Sequence, residues 1–208
     1  IMLNLKKFIL LLGMVVVSPA YSQTYISYNA SFNSNGMDVQ FSSNQCDTFL
    51  ERLYECKNAS IKILQTKQAL KLNTAWINLD YAVYTGKLDN TYADDKYSII
   101  FSDINGDGIN DLIIQSGKKG AYGGPSYNVY LYRKGKFVYN RHLSQLTVGA
   151  NSLFRINSNI LTVGKTSGCC EYNKFSYKLH NNAVKLVRKE TEICEASSDK
   201  CQVKSENF

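Results

Sequence analysis

From Met37 to Val187 the chain keeps returning to one pattern: short runs of β-branched and aromatic residues, each closed by turn-forming residues. The runs are MDVQFSS, ASIKILQ, AWINLDYAVY, YSIIF, DLIIQS, YNVYLYRKGKFVYN, LFRINSNILTVG and FSYKLHNNAVKLV. Valine, isoleucine, tyrosine and phenylalanine suit a pleated, half-buried surface, and asparagine and glycine suit the turns between strands. No helices alternate with these runs, which argues against a parallel sheet wound by crossover helices. The expectation is an all-β, antiparallel architecture in a single domain over 38–204, preceded by a loose Asn/Ser-rich segment at 23–37. Only the stretch around 47–55 has helical spacing.

Two hairpins can be placed by register. A turn at Lys134-Gly135 sets Tyr132 against Phe137 and Leu131 against Val138. A turn at Asn181-Asn182 sets Leu179 against Val184 and Tyr177 against Leu186, and carried back along the strands it places Cys169 opposite Cys194. The expected bridge is therefore Cys169–Cys194, with Cys170 reaching Cys201, and a bulge would exchange these roles. Cys46 and Cys56 remain. A helix between them would hold them about 15 Å apart, beyond disulfide reach, so either the segment is not a continuous helix or the pair is not bonded.

The first residues explain why cysteines would be oxidised. Lys6 and Lys7 precede an apolar run from Phe8 to Val17, Pro19 breaks it, and Ala20-Tyr21-Ser22 fits a small-x-small cleavage site. That is the layout of an export signal over 1–22, and the run is too short to span a bilayer. Nothing later is apolar enough to cross one, so the mature chain is expected in the periplasm, where disulfides persist. Six cysteines without a Cys-x-x-Cys and histidine partner exclude a zinc site of the usual spacing. The net charge of +7 falls by two without the signal. The remaining basic residues are scattered rather than striped, which argues against a nucleic-acid partner. With 44% hydrophobic residues, the chain is too apolar to be disordered.

The stretch DINGDGIND has the spacing of a calcium loop. Asp103, Asn105, Asp107 and Asp111 stand at positions 1, 3, 5 and 9, and the Ile109 carbonyl at position 7 adds an oxygen. Gly106 and Gly108 allow the backbone to curl around an ion. Asn-Gly and Asp-Gly are also ordinary turn pairs, but two of them in register with two further carboxylates point to Ca2+. Position 12 is Ile114, and the flanks YSIIF and DLIIQS read as strands, so this is a strand–loop–strand site rather than a helix–loop–helix one. Hard oxygens without a nearby histidine suit a structural ion.

The loop resembles the calcium loops of the FG-GAP and integrin β-propeller type. The longer region from about 98 to 190 resembles a narrower group, the periplasmic immunity proteins of the bacterium-killing type IV secretion system. That resemblance lies in the order of three motifs: the acidic loop, Gly-x-Tyr-Gly-Gly-Pro-Ser-Tyr and Ser-Gly-Cys-Cys. It implies a propeller-like or sandwich-like β domain that holds calcium and inhibits a lysozyme-like peptidoglycan hydrolase. Similar inhibitors insert a Ser-Gly-x-x-Tyr loop into the enzyme's cleft. Here Ser116-Gly117 is present, but position 120 is glycine and the tyrosine comes at 122.

SGKKGAYGGPSY is accordingly the expected partner loop. A lysozyme cleft presents two carboxylates. The hydroxyls of Ser116, Tyr122, Ser126 and Tyr127 could donate to them, and Lys118 and Lys119 could add charge, with Gly117 permitting the turn. Because the chain is itself basic, a neutral or acidic hydrolase suits it better than a basic one. An enzyme is not expected. His142 and His180 are the only histidines, no Gly-x-Ser-x-Gly or His-Glu-x-x-His occurs, and Asp80, Asp89, Asp94 and Asp95 read as loop residues. The alternative to an inhibitor is a glycan-binding or adhesion module that uses its many tyrosines.

Overall fold

The computed structural model describes residues 25–88, 96–180, 183–195 and 200–208. The export signal at 1–22, the aspartates at 89, 94 and 95, and the Asn181-Asn182 turn lie outside the described residues. The chain builds three open sheets. The first comprises β1 (Ile26–Ser34), β2 (Met37–Leu50), β3 (Leu53–Ile63) and β4 (Gln68–Asn78). The middle sheet comprises β5 (Val83–Thr85), β6 (Ile99–Ser102), β7 (Asp111–Gly117), β8 (Ser126–Arg133) and β9 (Lys136–Tyr139). A short helix, α1 (Arg141–Leu146), capped by the Asn140 side chain, leads to the third sheet. That sheet holds β10 (Arg155–Asn157), β11 (Ile160–Ser167), β12 (Glu171–His180), β13 (Ala183–Cys194) and β14 (Cys201–Asn207). Every neighbouring pair is antiparallel except β5 and β6, which run parallel. No helix among the described residues is long and apolar enough to cross a membrane.

The sheets stack as layers, a sandwich-like arrangement, and the middle one has no solvent face over β6 and β7. Successive side chains on a strand point to opposite faces, and here both faces find a core. Ile99, Phe101, Leu112 and Ile114 pack with Phe41, Ile61, Ile63 and Ile77 of the first sheet. Ile100, Ile113, Val129 and Leu131 pack with Leu143 of α1 and Leu161 and Val163 of the third sheet. This explains why YSIIF and DLIIQS read as unbroken apolar runs rather than alternating ones. Each such side chain contributes about 1.5–3 kcal/mol on burial.

The segment expected to be loose begins with a strand. In β1, Tyr28, Ala30 and Phe32 share one half-buried face, with Tyr28 and Phe32 packed against the first core, while the residues between them are exposed. Asn35 and Gly36 (φ 47° and 78°) close the β1–β2 hairpin, with both residues in the left-handed region that such two-residue turns need. The 47–55 segment is the tip of the β2–β3 hairpin, not a helix. Arg52 turns at φ 64° and Leu50 pairs with Leu53. Cys46 and Cys56 thus stand directly opposite each other, with Cα atoms 4.0 Å apart, and are bonded.

The other pairs are Cys169–Cys170 and Cys194–Cys201, so the expected Cys169–Cys194 and Cys170–Cys201 bridges are not formed. The expected register holds near the turn, where Tyr177 faces Leu186 and Leu179 faces Val184. A bulge between Ser176 and Tyr177 then shifts it by one. Cys170 rather than Cys169 comes beside Cys194, whose N–H donates to the Cys170 carbonyl at 2.9 Å, and Cys194 faces Cys201 across β13 and β14. The Lys134-Gly135 hairpin has the register expected of it.

Candidate functional site

The acidic loop joins β6 to β7 and is held by its own side chains. Asp103 accepts from the N–H groups of Gly106 (2.7 Å), Asp107 (3.2 Å) and Gly108 (2.9 Å). Asn105 accepts from the Asp107 N–H and donates its amide to the Asp107 carboxylate, both at 2.9 Å. Asp107 in turn accepts from the Ile109 N–H. Gly106 and Gly108 take φ of 77° and 83°. At Gly106 a Cβ would also collide with the Asn159 amide oxygen.

Asp111 is different. It is fully buried, and its two oxygens accept from Ile104 N–H at 3.0 Å and Tyr132 N–H at 2.7 Å, which ties the loop to β8. Burial, with added repulsion from Asp107 and Asp103, raises its carboxyl to about 6 against the pull of those two bonds. Among the described residues no lysine or arginine forms an ion pair with Asp103, Asp107 or Asp111. Their carboxylates do not all lie within 4.8 Å of one another, so the oxygens are spread along the loop. The donor set is all oxygen, and each carboxylate keeps lone pairs beyond those its backbone bonds use. That chemistry fits a hard cation and no soft one.

The seven residues of β7 separate this loop from the second expected site, a span of roughly 20 Å. There the chain makes a compact loop around one 3₁₀ turn, Ala121–Gly123. Gly120 is required in it, since a Cβ would meet the Pro125 carbonyl at 2.7 Å. The Ala121 and Gly149 N–H groups lock the loop to Ala150 and Lys119 carbonyls. Tyr122 sits at its crest, 82% exposed, in the left-handed region at φ 52°. That conformation costs a non-glycine residue about 1–2 kcal/mol. Its hydroxyl donates to the Gly168 carbonyl at 2.7 Å. The Gly-x-Tyr-Gly-Gly and Ser-Gly-Cys-Cys motifs, distant in sequence, therefore meet at one place.

The expected partner residues divide. Tyr122, Lys118 and Lys119 are exposed. Tyr127, Ser126 and Gly117 are buried and cannot meet a partner, because β7 and β8 turn them inward. Ser116, half-buried, donates to the Ser126 carbonyl. A contribution from the first sheet carries no motif and was not expected. The Lys118 ammonium lies 3.5 Å from the centre of the Phe49 ring and 5.2 Å from that of Trp76. Phe49 packs edge-on against Trp76 at 5.0 Å. Lys118 is thus held by cation–π attraction to the β2–β3 tip, where Phe49 and Leu50 remain about half exposed. Of the residues weighed for catalysis, Asp80 pairs with Arg52 at 2.6 Å on the surface, and the His180 side chain lies outside the described residues.

No family model and no curated protein matches the chain. Among solved structures, it is similar to a Xanthomonas type IV secretion system related protein. The two share 33% sequence identity with a TM-score of 0.80 over 86% of this chain and 88% of that one.

Proposed function

The chain belongs to the family of the Xanthomonas type IV secretion system related protein, and from that premise we propose that it is an exported, calcium-stabilised immunity protein that inhibits a lysozyme-like peptidoglycan hydrolase in the periplasm. Tyr122 carries this reading. It is a large aromatic held in a costly backbone conformation, almost fully exposed and anchored at its hydroxyl, and strain of this kind collects at functional positions. Lys118 and Lys119 precede it in the same loop and are also exposed. A rigid tyrosine loses little conformational freedom on binding, and the lysines complement the paired carboxylates of a muramidase cleft. Disulfide bonding of all the cysteines suits an oxidising compartment.

In this reading Asp103, Asn105, Asp107, Asp111 and the Ile109 carbonyl hold a calcium ion. The ion neutralises a loop that otherwise gathers three carboxylates, and it fixes the turn between β6 and β7. It takes no part in inhibition. The test is an inhibition assay against lysozyme-like muramidases, including any such enzyme found encoded beside this chain. Tyr122→Ala combined with Lys118→Ala and Lys119→Ala should abolish inhibition while circular dichroism stays unchanged. Full inhibition by that variant would move the site elsewhere, and no inhibition by the unaltered chain would end the reading.

A further inference from the structure

The other end of β7 from Tyr122 borders a cleft that shares Asp103 with the acidic loop but plays no part in the proposed inhibition. Each sheet contributes a wall. The Asn35-Gly36 turn comes from the first sheet, the chain leaving β5 and the acidic loop come from the middle one, and the β10–β11 turn comes from the third. They enclose a volume of about 770 Å³, within the range of roughly 300–1,000 Å³ common for small-molecule sites.

The lining is amide and hydroxyl over a small apolar floor. Leu88 and Ile156 form the floor, and among the described residues the charged ones are Lys87 and Asp103, one of each sign. Ser102, 1% exposed, also lines the cleft. The side-chain amides of Asn110 and Asn159 are without a protein partner among the described residues.

These groups select a ligand class. A sugar hydroxyl both donates and accepts, and so do a serine hydroxyl and a side-chain amide. The apolar floor suits the C–H face of a pyranose ring. An anionic ligand such as a phosphate would face one ammonium offset by one carboxylate. A flat apolar ligand would leave the amides unpaired. We propose that the cleft bounded by the Asn35 turn, the acidic loop and the β10–β11 turn is a binding site for a short uncharged saccharide. It does not depend on the inhibitory role proposed for Tyr122, since its residues lie at the other end of β7.

The test is titration of the isotope-labelled full chain with triacetylchitotriose and with maltotriose at millimolar concentration, followed by amide chemical shifts. A short peptidoglycan stem peptide serves as the control ligand. Saturable shifts at Gly86 to Leu88 and Asn157 to Asn159 are expected with at least one saccharide. The Asn110→Ala, Asn159→Ala double variant should weaken that binding about tenfold or more, the loss of two hydrogen bonds. Both residues are at least partly exposed, so this variant keeps the proposal testable where Ser102→Ala fails to fold. Tyr122→Ala should bind saccharide as the unaltered chain does. The proposal is overturned by no saturable shift with either saccharide, by shifts confined to other surfaces, by unchanged affinity in the folded double variant, or by cleft binding of the peptide alone.

Discussion

Asp111 shows how much one carboxylate can be asked to do. It closes the acidic loop, reaches across to β8, and is buried while it does so. Asp111→Ala leaves the N–H groups of Ile104 and Tyr132 without their acceptor and should cost about 2–6 kcal/mol in urea unfolding, about 1–3 for each of the two unmet donors. The raised carboxyl also has a pH signature. Its folded value of about 6 lies above the ordinary aspartate range near 4. Between roughly pH 4 and pH 6 the folded chain keeps a proton that the unfolded chain has released. In chelator, this group's contribution is therefore most favourable below that window and is lost as pH rises through it. Calcium should substitute for the proton and raise the melting temperature above pH 6. Melting curves from pH 4 to pH 8, with calcium or chelator, compared against Asp111→Asn, isolate this component. A melting temperature indifferent to calcium above pH 6 would exclude the ion. At this scale the sequence is legible where spacing encodes chemistry, as in the Asp-x-Asn-x-Asp rhythm. The bond from Asp111 to Tyr132 is not legible, because only the β7–β8 register brings those residues together.

Among the elements, the β2–β3 hairpin departs most from its sequence. DTFLERLYE has helical spacing, yet Cys46 and Cys56 are both buried beneath the first sheet, and a strand pair is the arrangement that lets them bond. Tertiary packing here outweighs local preference, which spans only about 1 kcal/mol per residue. Replacing both cysteines by alanine should destabilise the chain by about 2–3 kcal/mol, the loop-closure entropy of a bridge of this short span, read as a lower urea midpoint. A loss well below 1 kcal/mol would mean that packing alone holds the tip. The Lys134-Gly135 hairpin was readable because its turn residues and its cross-strand pairs agree. The third sheet was readable only in part. Its turn set the correct register as far as Tyr177, and the bulge that redirects Cys170 leaves no mark in composition. β1 was obscured by polar residues on its solvent face, although Tyr28, Ala30 and Phe32 keep the period of a strand.

For the molecule as a whole, the middle sheet couples two cores that never touch directly. Leu161 lies in the core beneath the third sheet, and Trp76, the single tryptophan, lies in the first sheet on the other side. Leu161→Ala should lower stability by about 2–5 kcal/mol, the usual cost of emptying a core position. The Trp76 fluorescence transition should shift by the same amount as circular dichroism. Separate transitions would show that the layers unfold independently. The all-β class was legible because runs of β-branched and aromatic residues closed by turn residues recur along the chain without alternating helices. Which loops stand at which end was not, since that follows from the direction each strand takes.

Each sheet is made of strands that follow one another in the chain. A polypeptide entering a compartment end-first could therefore complete its first sheet before the second had arrived, with no strand waiting for a distant partner. That early sheet would still present Phe41, Ile61 and Ile77 to water until β6 and β7 covered them. The interval between those two moments is when the chain is most exposed to sticking to its neighbours, and its length is set by the residues between β4 and β6.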